Sequence, residues 1–131
     1  MTPSTTSLLT DLYELTMTQA YLAHNMTGEA VFEFFVRKLP TRRNFFMAAG
    51  LEQVLSFLEQ FHFSEGDLAW LEEMGRFPPE TLIAFRAMRF TGDVHAMPEG
   101  TVFFPHEPIL RITAPLPQAQ LVETRVMNLL N

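Results

Sequence analysis

Between Gly92 and Thr113, three short β-prone runs, 92–97, 101–104 and 109–113, are separated only by Pro98-Glu99-Gly100 and by Pro105-His106-Glu107-Pro108. Connections this short can join antiparallel strands through tight turns, whereas parallel neighbours need a crossover of about a dozen residues or more. The spacing therefore predicts an antiparallel meander in the second half of the chain. It argues against a doubly wound parallel sheet.

Upstream of the meander, apolar residues recur mostly at helical spacing. Leu8, Leu9, Leu12, Leu15 and Met17, continued by Ala20 to Leu22, predict a helix over 8–24, with Ser4 to Ser7 supplying N-cap oxygens. Ala30 to Lys38 alternates instead: Phe32, Phe34 and Val36 share one face, and Val31, Glu33, Phe35 and Arg37 the other, as in a strand. After the polar, basic break Pro40 to Asn44, the stripe Leu51, Val54, Leu55 and Leu58 predicts an amphipathic helix over 50–61. Ser64 with Asp67 resembles a capping box for a short helix closing at Gly75, and a further helix over 79–88 begins after Pro78. From Gln118 the spacing is helical again, through Leu121, Val122, Arg125, Val126, Leu129 and Leu130 to Asn131, with no stop signal. The expected class is α+β: an N-terminal helix, an antiparallel sheet of short strands, and helices packed on it.

At 131 residues the chain fits one domain. An apolar share of 47%, with 13 Phe and 8 Met, is high for a domain wetted on all sides, so part of the surface is expected to serve an interface. A net charge of −6 argues against a nucleic-acid partner, whose affinity depends on clustered Lys and Arg. Lys38 is the single lysine and has no Gly-rich loop before it, and the absence of cysteine excludes disulfides, thiolate metal sites and a thiol nucleophile. Met1 to Ser7 has neither a basic n-region nor a long apolar run, so no signal peptide and no membrane partner are expected there, and the reading is cytoplasmic.

Candidate chemistry is sparse. His24, His62, His95 and His106 form no HxH or HxxxH pair, so no metal site is expected, and Glu52, Glu59, Glu72 and Glu73 read as solvated helix faces. Thr10-Asp11-Leu12-Tyr13 sets a carboxylate two residues from a phenol near a helix start. Tyr13 there could stack on a planar ligand, or be a partly buried aromatic beside an Asp11 that favours the helix N-terminus; both readings stand. Arg37, Lys38, Arg42 and Arg43 make the densest basic cluster, suited either to a phosphorylated small molecule or to solubilising a loop. Glu99 reads as part of a turn.

Taken together, several stretches resemble nicotinate phosphoribosyltransferase. They are Leu9 to Met17 with Tyr21, Phe32 to Pro40, Arg43-Asn44-Phe45, Ala49 to Glu52, Phe90 to Val94, Pro98 to Val102, Glu107 to Leu110, and Glu123-Thr124 with Asn128 to Asn131. The resemblance lies in their order and spacing over essentially the whole chain rather than in any single motif.

The resemblance implies an α+β N-terminal domain, spanning 1–117, with 118–131 beginning a connecting helix toward an α/β barrel. It implies homodimers in which the N-terminal part of one subunit completes the partner's site. The reaction implied joins nicotinate to phosphoribosyl pyrophosphate, with Mg2+ on the diphosphate and ATP hydrolysis acting through a phosphohistidine. On this reading Tyr13 stacks on the pyridine ring across the interface and Asp11 holds its motif. Arg37 faces the phosphate side, with Lys38, Arg42 and Arg43 as further candidates. None of the four histidines matches the phosphohistidine, so no catalytic residue is expected in this chain and the chain alone should be inactive. A piece of the enzyme should show a continuous apolar face on the last helix and on the outer side of the sheet. The alternative is a stand-alone dimerising or binding module without catalysis.

Overall fold

The computed structural model describes residues 12–130. α1 (Leu12–Ala23) leads into β1 (Glu29–Phe34). A long loop then reaches the two-residue β2 (Phe46–Met47), and α2 (Leu51–Gln60), α3 (Glu65–Met74) and α4 (Pro79–Ala87) follow in succession. β3 (Asp93–Ala96), β4 (Val102–Phe103) and β5 (Leu110–Pro115) precede the closing helix α5 (Leu116–Leu130). The α+β class is as expected.

The helices form where the local chemistry directs them. α1 closes at Asn25, whose φ of 57° is tolerated by Asn and lets the Met26 N–H reach back to the Tyr21 carbonyl at 2.7 Å. The expected capping box opens α3: Ser64 accepts from the Asp67 N–H at 3.0 Å, and Asp67 accepts from the Ser64 N–H at 2.9 Å. Gly75, with φ of 70°, ends that helix. Pro79 opens α4 at the first helical position, where its missing N–H has no consequence.

α2 is started differently. Its cap residue, Gly50, has no side chain to offer, and the Leu51 N–H instead donates to Glu99 Oε1 at 2.6 Å, from the loop after β3. Glu99 is thus more than a turn residue, since it supplies an acceptor and a negative charge to a helix N-terminus. Gly50 itself, at φ of 96°, lies against the end of α5, where any Cβ would overlap the Leu129 carbonyl oxygen.

The main sheet has the order β1-β5-β3 and is antiparallel throughout. Phe34 lies opposite Leu110 and Glu29 opposite Pro115, while Asp93 pairs with Thr113 and Ala96 with Leu110. Phe34, Leu110, Ile112 and Ala114 face the core. Glu33 and Arg111 face out, as an ion pair at 2.9 Å.

Two expectations need correction. The three late strands do not form a meander, because β4 leaves to pair with β2. Phe103 stacks on Phe46 with centroids 5.3 Å apart, in a satellite cluster with Ala48 and Ile109. The loop after β3 is tied there too: Gly100 donates to the Ala48 carbonyl and Ala48 to the Thr101 carbonyl, both at 2.8 Å. The first strand also stops at Phe34 rather than Lys38, because the paired register on β5 begins at Leu110 and leaves no strand partner beyond.

The core lies between the helices and the inner face of the sheet. One part is aromatic: Phe57, Phe61, Phe63, Phe85 and Phe77 form a chain of ring contacts, with Phe63 stacked on Phe85 at 4.9 Å. The other part centres on α5, which touches α1, α2, β1 and β5 and buries Ala119, Leu121, Val122 and Val126. α5 follows β5 with no intervening residue, and Pro117 sits in its first turn. Most of the apolar face expected to be free on this helix is used inside the fold. The outer side of the sheet is likewise not continuously apolar, since Val31 shares it with Glu33, Arg111, Asp93 and His95. Among the described residues no helix is long and apolar enough to cross a membrane.

Candidate functional site

The first turn of α1 places Tyr13 and Glu14 in opposite environments. Tyr13 is 52% exposed, whereas Glu14 and Thr18 are fully buried alongside Leu15. The next side chain on a helix projects about 100° away, so seating Glu14 inward leaves Tyr13 outward.

The buried side of α1 meets α5 through a polar seam. Thr124 Oγ1 donates to Glu14 Oε1 across it, while within α1 Thr18 Oγ1 donates to the Glu14 carbonyl at 2.8 Å. Further along, the Tyr21 hydroxyl makes a long contact of 3.4 Å to Gln120 Oε1 across the seam, and within α5 Gln120 Nε2 donates to Glu123 Oε2 at 2.8 Å. Sequence reasoning missed this seam because a helical Glu ordinarily reads as solvated. The available signal was the spacing of Glu14, Thr18 and Tyr21, four and then three residues apart, facing Gln120 and Thr124, four apart.

A groove of about 420 Å³ runs between the end of β1 and the outer edge of α5. Val31, Phe35, Met127 and Leu130 give it apolar walls, with Arg37 and Glu123 as charged groups. Arg37 lies three residues past the end of β1, on a segment held by the His106 N–H donating to the Val36 carbonyl at 2.8 Å. Lys38, Arg42 and Arg43 are exposed on the loop toward β2, where the Arg43 N–H closes a turn on the Pro40 carbonyl at 3.0 Å. Of the basic cluster, the groove takes Arg37. Tyr13, Lys38, Arg42 and Arg43 are not among its described lining residues. Asp11 lies outside the described residues.

A cavity of about 480 Å³ between α2 and α5 is larger, but Glu52, Gln53, Ser56, Phe57 and Arg125 line it and none of the expected site residues does. The smaller groove is the better candidate, because an apolar slot with few placed charges suits a small ligand. His24, His62, His95 and His106 are all exposed, and Glu52, Glu59, Glu72 and Glu73 lie on exposed helix faces as expected. Among the described residues no group of three or more His, Cys, Asp or Glu could hold a metal ion. The arrangement can position and neutralise a ligand; among the described residues lining the groove there is no Ser, Thr, Cys or His to act as a nucleophile or proton shuttle.

Comparison with known proteins gives this arrangement its context. Residues 8–131 match the nicotinate phosphoribosyltransferase (NAPRTase) N-terminal domain. The nicotinate phosphoribosyltransferase pncB2 of Mycobacterium tuberculosis is 57% identical over 122 residues, covering 93% of this chain and 26% of that protein. The Bacillus subtilis enzyme is 38% identical over 126 residues, covering 95% and 26%. Human nicotinic acid phosphoribosyltransferase superposes with a TM-score of 0.83 at 35% identity, over 93% of this chain and 25% of the human one. The chain thus spans about a quarter of the length of the curated relatives it matches. With the family's N-terminal domain matched from residue 8 to residue 131, the chain belongs to the nicotinate phosphoribosyltransferase family.

Proposed function

We propose that this chain is the N-terminal, substrate-recognising part of a cytoplasmic enzyme that joins nicotinate to phosphoribosyl pyrophosphate, giving nicotinate mononucleotide and pyrophosphate with ATP hydrolysis. The observation that carries the reading is the 57% identity to a nicotinate phosphoribosyltransferase across almost the whole chain. The remaining three quarters of such an enzyme would supply the barrel and the catalytic groups. Residues 118–131 would lead toward that barrel while also serving as a core helix of this domain.

In this scheme Tyr13 stacks on the pyridine ring bound in the partner subunit of a homodimer and orients the attacking ring nitrogen, with Asp11 supporting its motif. Its half-exposed ring at the start of α1 suits that role. Arg37 faces the phosphate side, with Lys38, Arg42 and Arg43 reinforcing the positive field. The transition state is cation-like at the anomeric carbon and the leaving group is an anion, so positioning and charge stabilisation make up most of the protein's contribution. Mg2+ would neutralise the diphosphate when bound.

The mass of the purified polypeptide tests the first element: a value well above 15.0 kDa supports the reading, and a mass equal to 131 residues favours a stand-alone module. In the full-length enzyme, Tyr13→Ala should raise KM for nicotinate by about tenfold or more, the scale of losing an aromatic anchor. Unchanged kinetics would remove Tyr13 from the site. Calorimetric titration of the 131-residue chain with nicotinate should show no binding, and tight binding would overturn the requirement for a barrel.

A further inference from the structure

The exposed ring of Tyr13 and the buried carboxylate of Glu14 are neighbours in one helical turn. Glu14 is 0% exposed, and a carboxylate so placed is costly unless hydrogen bonds compensate it. The Thr124 hydroxyl of α5 provides one such bond. Because it is directional, it favours one rotational setting of α1 about its own axis. The contact from Tyr21 to Gln120, two turns further on, is made in the same setting. Leu15 and Leu22 alone would tolerate a range of rotations, since apolar contact has no preferred direction.

We propose that Glu14 and Thr124 are positioning residues for Tyr13: their bond fixes the first turn of α1 at the angle at which the Tyr13 ring meets its planar ligand. This rests on the reading of Tyr13 as the ring-stacking residue. Glu14 and Thr124 contact no ligand in this scheme. They act by fixing the direction in which the adjacent side chain projects.

The test is steady-state kinetics of the full-length enzyme, varying each substrate, for wild type, Thr124→Val, Thr124→Ser, Tyr13→Ala and the Tyr13→Ala/Thr124→Val double variant. Thr124→Val should raise KM for nicotinate about tenfold while kcat and KM for phosphoribosyl pyrophosphate stay within about twofold. Thr124→Ser should restore wild-type values. On the Tyr13→Ala background, Thr124→Val should add nothing further. Thr124→Ala, which removes the hydroxyl without placing a methyl group beside Glu14, carries the same expectations should the valine variant fail to fold. The proposal is overturned if loss of the hydroxyl leaves KM unchanged while Tyr13→Ala raises it. It is equally overturned if the loss acts undiminished without Tyr13, or if it lowers kcat and raises KM for both substrates together, as general loosening would. If Tyr13→Ala itself has no effect, the stacking reading falls and takes this inference with it.

Discussion

The aromatic cluster of α2, α3 and α4 and the polar seam between α1 and α5 are both buried, but they specify different things. Phe63, Phe77 and Phe85 meet through ring faces and edges, an attraction that scales mainly with buried area and constrains orientation less tightly than a hydrogen bond to a buried charge. Across the α1–α5 seam Thr124 donates to Glu14 and Tyr21 contacts Gln120, and such bonds have direction. The cluster is expected to contribute mainly stability, and the seam mainly a defined orientation of α1 on α5. On the positioning proposed for Tyr13, losing much of the first kind of contact would leave its direction unchanged, whereas losing the Thr124–Glu14 bond would alter it.

The contrast can be broken at either end. Phe85→Ala should cost about 3–5 kcal/mol in a urea unfolding curve, because a fully buried ring at the centre of the cluster leaves a cavity. A loss near zero would mean the cluster collapses freely and carries little of the stability. Thr124→Val should cost about 1–3 kcal/mol, since it replaces a donor to a buried carboxylate with a methyl group. A cost equal to that of Phe85→Ala would erase the distinction between the two regions.

Smaller changes sharpen the contrast within the α3–α4 part. Ser64→Ala removes one half of the capping box and should cost about 1 kcal/mol, read as a shift of the urea midpoint. Arg86→Ala breaks an ion pair with Glu65 between two largely exposed side chains, and its cost should stay within about 0.5 kcal/mol after solvent screening. A larger loss would reveal a directional element in a region otherwise held by apolar contact.

The same division decides what could be read from the residues alone. α2, α3 and α4 were legible because an apolar stripe, a Ser-x-x-Asp cap and a proline at a helix start are local signals. The pairing of β4 with β2 was not legible, since Phe46 and Phe103 are brought together by the fold and neither carries a local mark of the other. The end of β1 was hidden for a related reason: alternation continues through Arg37, but a strand ends where its partner does.

For the proposed site, Tyr13 was visible as a phenol near a helix start, and Arg37 as part of a basic cluster. Glu14 shows itself only through its spacing from Thr18 and Tyr21, and its partner Thr124 lies more than a hundred residues away. Glu99 is likewise separated from its partner. Its bond to the Leu51 N–H crosses 48 positions of sequence.

The direct join of β5 to α5 links two kinds of error that folding could make. A one-residue slip in the pairing of β5 would turn its core side chains outward and, with no loop to absorb the difference, would rotate α5 by about 100° as well. Gln120 and Thr124 would then swing away from α1 and lose their contacts to Tyr21 and Glu14. With the two elements joined directly, a wrong register in the sheet would carry a second cost in the helix.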